Sequence, residues 1–252
     1  MDFTCLDYDK IVLGITNFIS ANVISRNKDG VVIGLSGGLD SSVCVVLASK
    51  ALSKNRILGL IMPERGITPQ NDIDNAYALV EKLKIRYKEI HFESSKKTLL
   101  RNLQTDKLSE GNLSARLRMA LLFHHAATRN LLVLGTSDKS EIMIGYFTKY
   151  GDGAADILPI GELYKTQVRI LGNKLGLSDK ITNQPSSPRF WKGHVAEKEL
   201  GLTYDEIDII LQYSLRGDLD KCPLNKGKVK RVTELVRKSS HKRDHIPVCN
   251  PF

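Results

Sequence analysis

The stretch 31–42 reads VVIGLSGGLDSS: an apolar β-branched run, a Ser-Gly-Gly turn, then an aspartate and two hydroxyls opening an apolar, helix-like segment. Three chemistries use these residue types at this spacing. Gly34-Leu35-Ser36-Gly37-Gly38 satisfies the G-x-S-x-G pattern of a nucleophile elbow, with His241 or His245 as the late base. Against it, only one helix precedes the turn and there is no upstream HGGG-like segment for an oxyanion. A ligand-free strand-to-helix turn explains Gly37 and Gly38 but not the crowding of Ser36, Asp40, Ser41 and Ser42. A phosphate cradle accounts for all of them: glycines let backbone N–H groups converge on an anion, the helix N-terminus adds its positive end, and the hydroxyls add donors. Asp40 beside phosphates makes sense with a Mg²⁺ between them, since that ion takes one or two carboxylates together with phosphate oxygens. The loop has no Gly-Lys-Ser/Thr, so its cation must be supplied from elsewhere in the chain.

The elements that must position this loop alternate. Apolar residues at helical spacing mark a first helix over 6–25, and helical patterns recur at 42–52, 70–83 and 113–128. Between them lie short β-like runs at 31–35, 57–62, 85–91 and 131–134. Alternation of this kind predicts an α/β fold, a Rossmann-like parallel sheet flanked by helices on both faces, whose ligands bind beyond the carboxyl ends of the strands. Thr136 and Glu141 follow directly on the run ending at Leu134, so they open on the same sheet edge as 36–42, and Glu141 is placed to be a second carboxylate on Mg²⁺. Further on come a polar, Gly-rich passage to about 164, a helix over 165–175, a strap over 182–194 holding Pro185 and Pro188, and helices at 204–213 and 229–239.

At 252 residues and 42% hydrophobic composition the chain can bury one sizeable core, and one domain over 1–252 is expected. No apolar run reaches the 18 or so residues of a membrane span and the first ten residues are acidic, so a cytoplasmic protein with no membrane partner is expected. Cys5, Cys44, Cys222 and Cys249 are far apart and given no role. The net charge is +9, and between Lys221 and Arg243 nine Lys/Arg stand against Glu234 alone. Something anionic is expected at that end, unless the face is merely solvated.

SGGLDSS resembles the pyrophosphate-binding loop of the ATP pyrophosphatases, which split ATP between its α and β phosphates. GNLSARLRM (111–119), GTSDKSE (135–141), GYFTKYGDGAAD (145–156), LPIGELYKTQVR (158–169) and HKR (241–243) resemble, in order, the NAD synthetases of that superfamily, with their adenine nucleotide alpha hydrolase-like fold. The resemblance implies an ammonia-dependent ligase: deamido-NAD is adenylated by ATP with release of pyrophosphate, then ammonia displaces AMP to give NAD. It places ATP on Gly34, Leu35, Ser36, Gly37, Gly38, Leu39, Asp40 and Ser41, with Thr136, Lys165 and Ser187. It places Mg²⁺ on Asp40 and Glu141, and deamido-NAD on Arg116, Lys149, Asp156, His241 and Lys242. Lys165 becomes the missing lysine of the loop, Asp152 a handler of ammonia and its proton, and the chain a homodimer whose dinucleotide site lies at the interface.

Each assignment has a plainer rival. Arg116 could be a salt-bridge partner, a role Arg118 on another face fills more easily; Lys165 could merely sit in a first helical turn, where a cation is mildly unfavourable. His241 and His245 could pair on a metal but lack a third ligand. The run PSSPRFWKGHVAEKELG (185–201) departs from the family, with His194, Val195 and Ala196 in place of its Gln-Thr-Asp, which makes Ser187 the least secure of the ATP contacts. A tRNA-modifying ATP pyrophosphatase is the competing function, but the paired cysteines or added RNA-binding domain of such enzymes are not visible, so no nucleic acid partner is expected. A non-catalytic adenine-nucleotide sensor would have little use for Asp40, Glu141 and Lys165 together. The chain has no room for a fused amidase, which leaves ammonia as the direct donor or a separate glutaminase to deliver it.

Overall fold

The computed structural model describes residues 6–251. In chain order the helices and strands are α1 (Tyr8–Ser25), β1 (Gly30–Gly34), α2 (Leu39–Ala51), β2 (Ile57–Ile61), α3 (Gln70–Leu83), β3 (Arg86–Glu89), α4 (Glu93–Leu100), α5 (Lys107–Thr128), β4 (Leu131–Val133), α6 (Lys139–Ile144), α7 (Lys165–Lys174), α8 (Asp179–Thr182), α9 (Ala196–Leu200), α10 (Tyr204–Arg216) and α11 (Lys226–Lys238). The strands form one parallel sheet in the order β3-β2-β1-β4. The order reverses between β1 and β4, and at such a switch point the loops leave the carboxyl ends on opposite sides and open a crevice.

Alternation along each strand sends side chains into two cores. Val31, Ile33, Ile57, Ile61 and Leu132 join the core under α1, α2, α3 and α7, while Val32, Leu58, Leu60 and Val133 meet α5 on the other face. Helix α2 has no polar stripe: Leu39 and every residue from Ser41 to Ala48 are buried, because it packs against α1, α3, α7, α8 and β1 together. A third core joins α6, α9, α10 and α11 beside the sheet, centred on Tyr204, Ile207, Ile210, Leu211 and Val232.

The expected alternation is present, with shifted boundaries. Helix α2 begins at Leu39 because Gly38 takes the N-cap position, so Asp40 and Ser41 stand in its first turn. Helix α5 begins at Lys107, before the apolar pattern, because the Asp106 carboxylate accepts the N–H groups of Leu108 and Ser109. Helix α4 was not foreseen; among its residues only Lys96 is buried, so no apolar stripe announces it. Cys44, Cys222 and Cys249 are free thiols, and Cys5 lies outside the described residues.

Candidate active site

A cavity of about 260 Å³ opens where the carboxyl ends of β1, β2 and β4 converge. Its floor is the 34–41 turn. Gly37 is left-handed at φ +75°, and a Cβ there would lie 1.8 Å from the Asp72 carbonyl oxygen, so both its conformation and its surroundings demand glycine. The hydroxyls stiffen the turn: Ser36 Oγ accepts from the Gly38 N–H at 3.2 Å and lies 3.0 Å from Ser41 Oγ, and Ser42 Oγ donates to the Gly38 carbonyl at 2.7 Å. No side chain caps α2, which leaves its first N–H groups and its dipole facing the cavity.

Behind the floor, Lys165 is fully buried at the first position of α7. Its ammonium meets three carboxylates: Asp40 Oδ2 at 2.7 Å, Asp138 Oδ2 at 2.9 Å and Glu141 Oε1 at 2.9 Å. Burial alone would lower the Lys165 pKa; the surrounding carboxylates outweigh it and hold the pKa well above its usual value. Desolvation pushes Asp138 up to about 6 and raises Glu141, in each case against the pull of Lys165. Three acids around one base leave the cluster short of positive charge, and Asp40 Oδ1 is buried without a hydrogen-bond partner. That oxygen and the Glu141 carboxylate suit a hard cation shared with phosphate oxygens. No group of three or more His, Cys, Asp or Glu among the described residues could hold a metal by itself.

The cluster is set by a second buried acid. Asp208, from α10, accepts the Ser140 hydroxyl, the Thr166 N–H at 2.9 Å and the Thr166 hydroxyl at 2.7 Å, while Ser140 Oγ accepts the Lys165 N–H at 2.9 Å. The first turns of α6 and α7 are thereby fixed to each other. Asp138 contributes locally, capping α6 by accepting the Glu141 N–H at 2.8 Å. Across the cavity, Arg118 donates to the Met62 carbonyl at 3.0 Å, lies over the Phe92 ring and faces Glu64, which also pairs with buried Lys96. The strap closes one side: Phe190 packs on Gly111, where a Cβ would come within 2.2 Å of the ring, and Trp191 stacks on His194 at 3.6 Å.

The NAD synthase family model matches residues 11–246 of this chain. This chain belongs to the NAD synthase family. It is 46% identical to the NH(3)-dependent NAD(+) synthetase of Hyperthermus butylicus, over 98% of this chain and 92% of that one. To the enzyme of the same name from Archaeoglobus fulgidus it is 41% identical, over 97% and 98%. Among solved structures it superposes on the NMN synthetase from Francisella tularensis with a TM-score of 0.88 at 34% identity, covering 98% of this chain and all of that one. On the NH3-dependent NAD synthetase from Campylobacter jejuni in complex with the nitrate ion, the TM-score is 0.85 at 30% identity, again over 98% and 100%.

Of the residues that the family resemblance suggests, Gly34, Leu35, Ser36, Asp40, Ser41, Thr136, Glu141, Asp152 and Ser187 line the cavity. Gly37 and Gly38 shape its floor, Leu39 turns into the core, and Lys165 lies beneath the carboxylates. Asp152 is exposed at the rim; the cavity wall crowding its carboxyl raises its pKa, against the Thr148 N–H it accepts at 2.9 Å. Arg116, Lys149, His241 and Lys242 form a separate group: Arg116 donates to the Lys149 carbonyl at 3.3 Å, and Lys149 Nζ to that of His241 at 2.5 Å. Lys242 Nζ is engaged by the carbonyls of Gly145 at 2.6 Å and Phe147 at 2.7 Å, so here it ties the basic C-terminal end to the loop after α6. Asp156 stands apart at the sheet edge, where its carboxylate accepts the Val133 N–H at 2.7 Å. The sequence reading missed Asp138, although D-x-x-E before an apolar run is a capping signal. It also missed Asp208, Asp72 and Arg189, which meet their partners only through the fold.

Proposed function

We propose that this chain converts deamido-NAD to NAD with ATP and ammonia, through an acyl adenylate, releasing pyrophosphate and AMP. The observation that carries this reading is the meeting of an uncapped helix N-terminus, the SGGLDSS turn and the Asp40–Lys165–Glu141 cluster at one cavity in a chain of the NAD synthase family. The turn binds the β and γ phosphates of ATP through backbone N–H groups, with Ser36, Ser41 and Thr136 adding hydroxyls. Asp40 and Glu141 would hold Mg²⁺, which supplies charge neutralisation at the phosphates. Lys165, fixed from behind by Asp138, keeps its positive charge beside the α-phosphate of the transferred adenylyl group. The nicotinate carboxylate of deamido-NAD attacks the α-phosphate, and pyrophosphate leaves. The strap with Ser187 excludes water from the acyl adenylate. Ammonia then attacks the acyl carbon, AMP departs, and Asp152 receives the surplus proton at the rim.

Arg116, Lys149, His241 and Lys242 supply the cationic ground for the dinucleotide, with Asp156 at its far end. Leu13, Phe18 and Ile24 are exposed on α1, which supports the reading of a homodimer. No described helix is long and apolar enough to cross a membrane, and we place the activity in the cytoplasm, with ammonia free or delivered by a separate glutaminase.

The test incubates the protein with ATP, Mg²⁺, deamido-NAD and ammonium and follows NAD, AMP and pyrophosphate together. Equal amounts of the three are expected, with none when glutamine replaces ammonium. A parallel tube holds nicotinate mononucleotide, because the Francisella structure is that of an NMN synthetase. Preference for that substrate would overturn the dinucleotide assignment, and cleavage of ATP only with tRNA would overturn the family activity for this chain.

A further inference from the structure

The strap and the first turn of α3 meet in a polar knot that the reaction above leaves unused. Arg189 donates from Nε to Asp72 Oδ2 at 2.8 Å and from Nη2 to Asp72 Oδ1 at 3.2 Å, and Gln184 Nε2 donates to the same Oδ1 at 2.6 Å. Asp72 is 3% exposed, and its own carbonyl is the oxygen against which Gly37 of the phosphate turn is pressed. Arg189 is therefore held one residue away from the turn, in the wall of the cavity that Ser36, Asp40 and Ser41 also line. It sits there in a left-handed backbone conformation, φ +54°, which is uncommon for a residue other than glycine.

Charge bookkeeping separates Arg189 from the other cations. Lys165 is enclosed by three carboxylates, and Arg118 is held by Glu64, the Met62 carbonyl and the Phe92 ring. Arg189 answers to Asp72, and Asp72 has other support: the Gln184 amide and its place in the first turn of α3, where the helix dipole favours an anion. Releasing Arg189 leaves no isolated buried carboxylate. A guanidinium also matches two phosphate oxygens at once, as it matches the two oxygens of Asp72 here.

We propose that Arg189 is a phosphate-binding residue of the nucleotide site, which exchanges Asp72 for polyphosphate oxygens when ATP enters and returns to Asp72 when pyrophosphate leaves. The proposal rests on the ATP-dependent reading above and adds a strap-borne cation to it.

Titration calorimetry of ATP with Mg²⁺, without the second substrate, tests it on the wild-type chain and on Arg189→Ala, Arg189→Lys and Asp72→Asn, with AMP as a second probe and unfolding temperature as a folding control. Loss of a charge-assisted bidentate contact should weaken ATP about tenfold or more in Arg189→Ala. Arg189→Lys should recover part of that loss, AMP should change less than about twofold, and Asp72→Asn should bind ATP severalfold more tightly because the competing anion is gone. ATP binding by Arg189→Ala within about twofold of wild type overturns the proposal. So does equal weakening of ATP and AMP, or equal weakening by Arg189→Ala and Asp72→Asn, since each describes a clasp for the strap and nothing more. If Arg189→Ala does not fold, Arg189→Lys carries the same ATP-against-AMP comparison. A wild-type chain that binds no ATP defeats the functional reading itself, a result distinct from all of these.

Discussion

Replacing Lys165 by methionine keeps the length of the side chain and removes the charge that three carboxylates share. Deleting one partner of a buried ion pair costs about 3 to 5 kcal/mol, and the low end applies because Asp40 and Glu141 remain 22% and 18% exposed in their side chains. A loss of about 3 kcal/mol in a chain of this size lowers Tm by about 6 to 12 °C. The loss should also depend on pH. Asp138, already raised to about 6 with the lysine present, binds its proton more tightly folded than unfolded, so its contribution to stability is largest at low pH and is lost as pH rises through about 6. Without Lys165 the window moves upward, and the deficit of Lys165→Met at pH 8 should shrink on the way down to pH 6. Thermal unfolding of both proteins at pH 6, 7 and 8 measures both effects. A Tm within about 2 °C of wild type at pH 8, with no narrowing of the deficit toward pH 6, would refute the reasoning.

Gly37→Ala brings a Cβ against the Asp72 carbonyl at a left-handed position, so ATP binding measured by calorimetry should fall by an order of magnitude or more, about 1.4 kcal/mol at least. Asp208→Asn sets an amide N–H against donors from Thr166 and Ser140; kcat should fall about tenfold or more while KM for deamido-NAD holds within about threefold, read from initial rates. Glu64→Gln strips the acid that Lys96 and Arg118 share, and calorimetric unfolding should show a Tm lower by about 6 °C or more. An unchanged Tm would mean that the Met62 carbonyl and the Phe92 ring suffice to hold Arg118.

What the sequence made legible is what is local. The SGGLDSS turn could be read because strand, turn and helix are consecutive, and a β-branched run broken by two glycines has few other solutions. Its partners on α6 were legible through one inference, that residues following two parallel neighbouring strands open on one edge. Lys165 came from the family resemblance; its spacing from Asp40, 125 residues, holds no local signal. The Asp72–Arg189 pair, 117 residues apart, joins a helix start to an irregular strap and has no periodicity to betray it. Lys242 shows what composition leaves out: a basic tail suggests an anion, and no count of charges foretells that this ammonium also meets the backbone carbonyls of Gly145 and Phe147.

The all-round burial of α2 bears on how the site fails. Amide hydrogens of the interior of that helix should be among the last in the chain to exchange with solvent, because no local opening frees a helix enclosed on every side. The strap and the basic tail are mostly half-buried or exposed, and should open at lower cost than the fold. The phosphate floor is not, so heat or denaturant should first abolish substrate closure and the strap's share of nucleotide binding, while the floor itself opens only together with the fold.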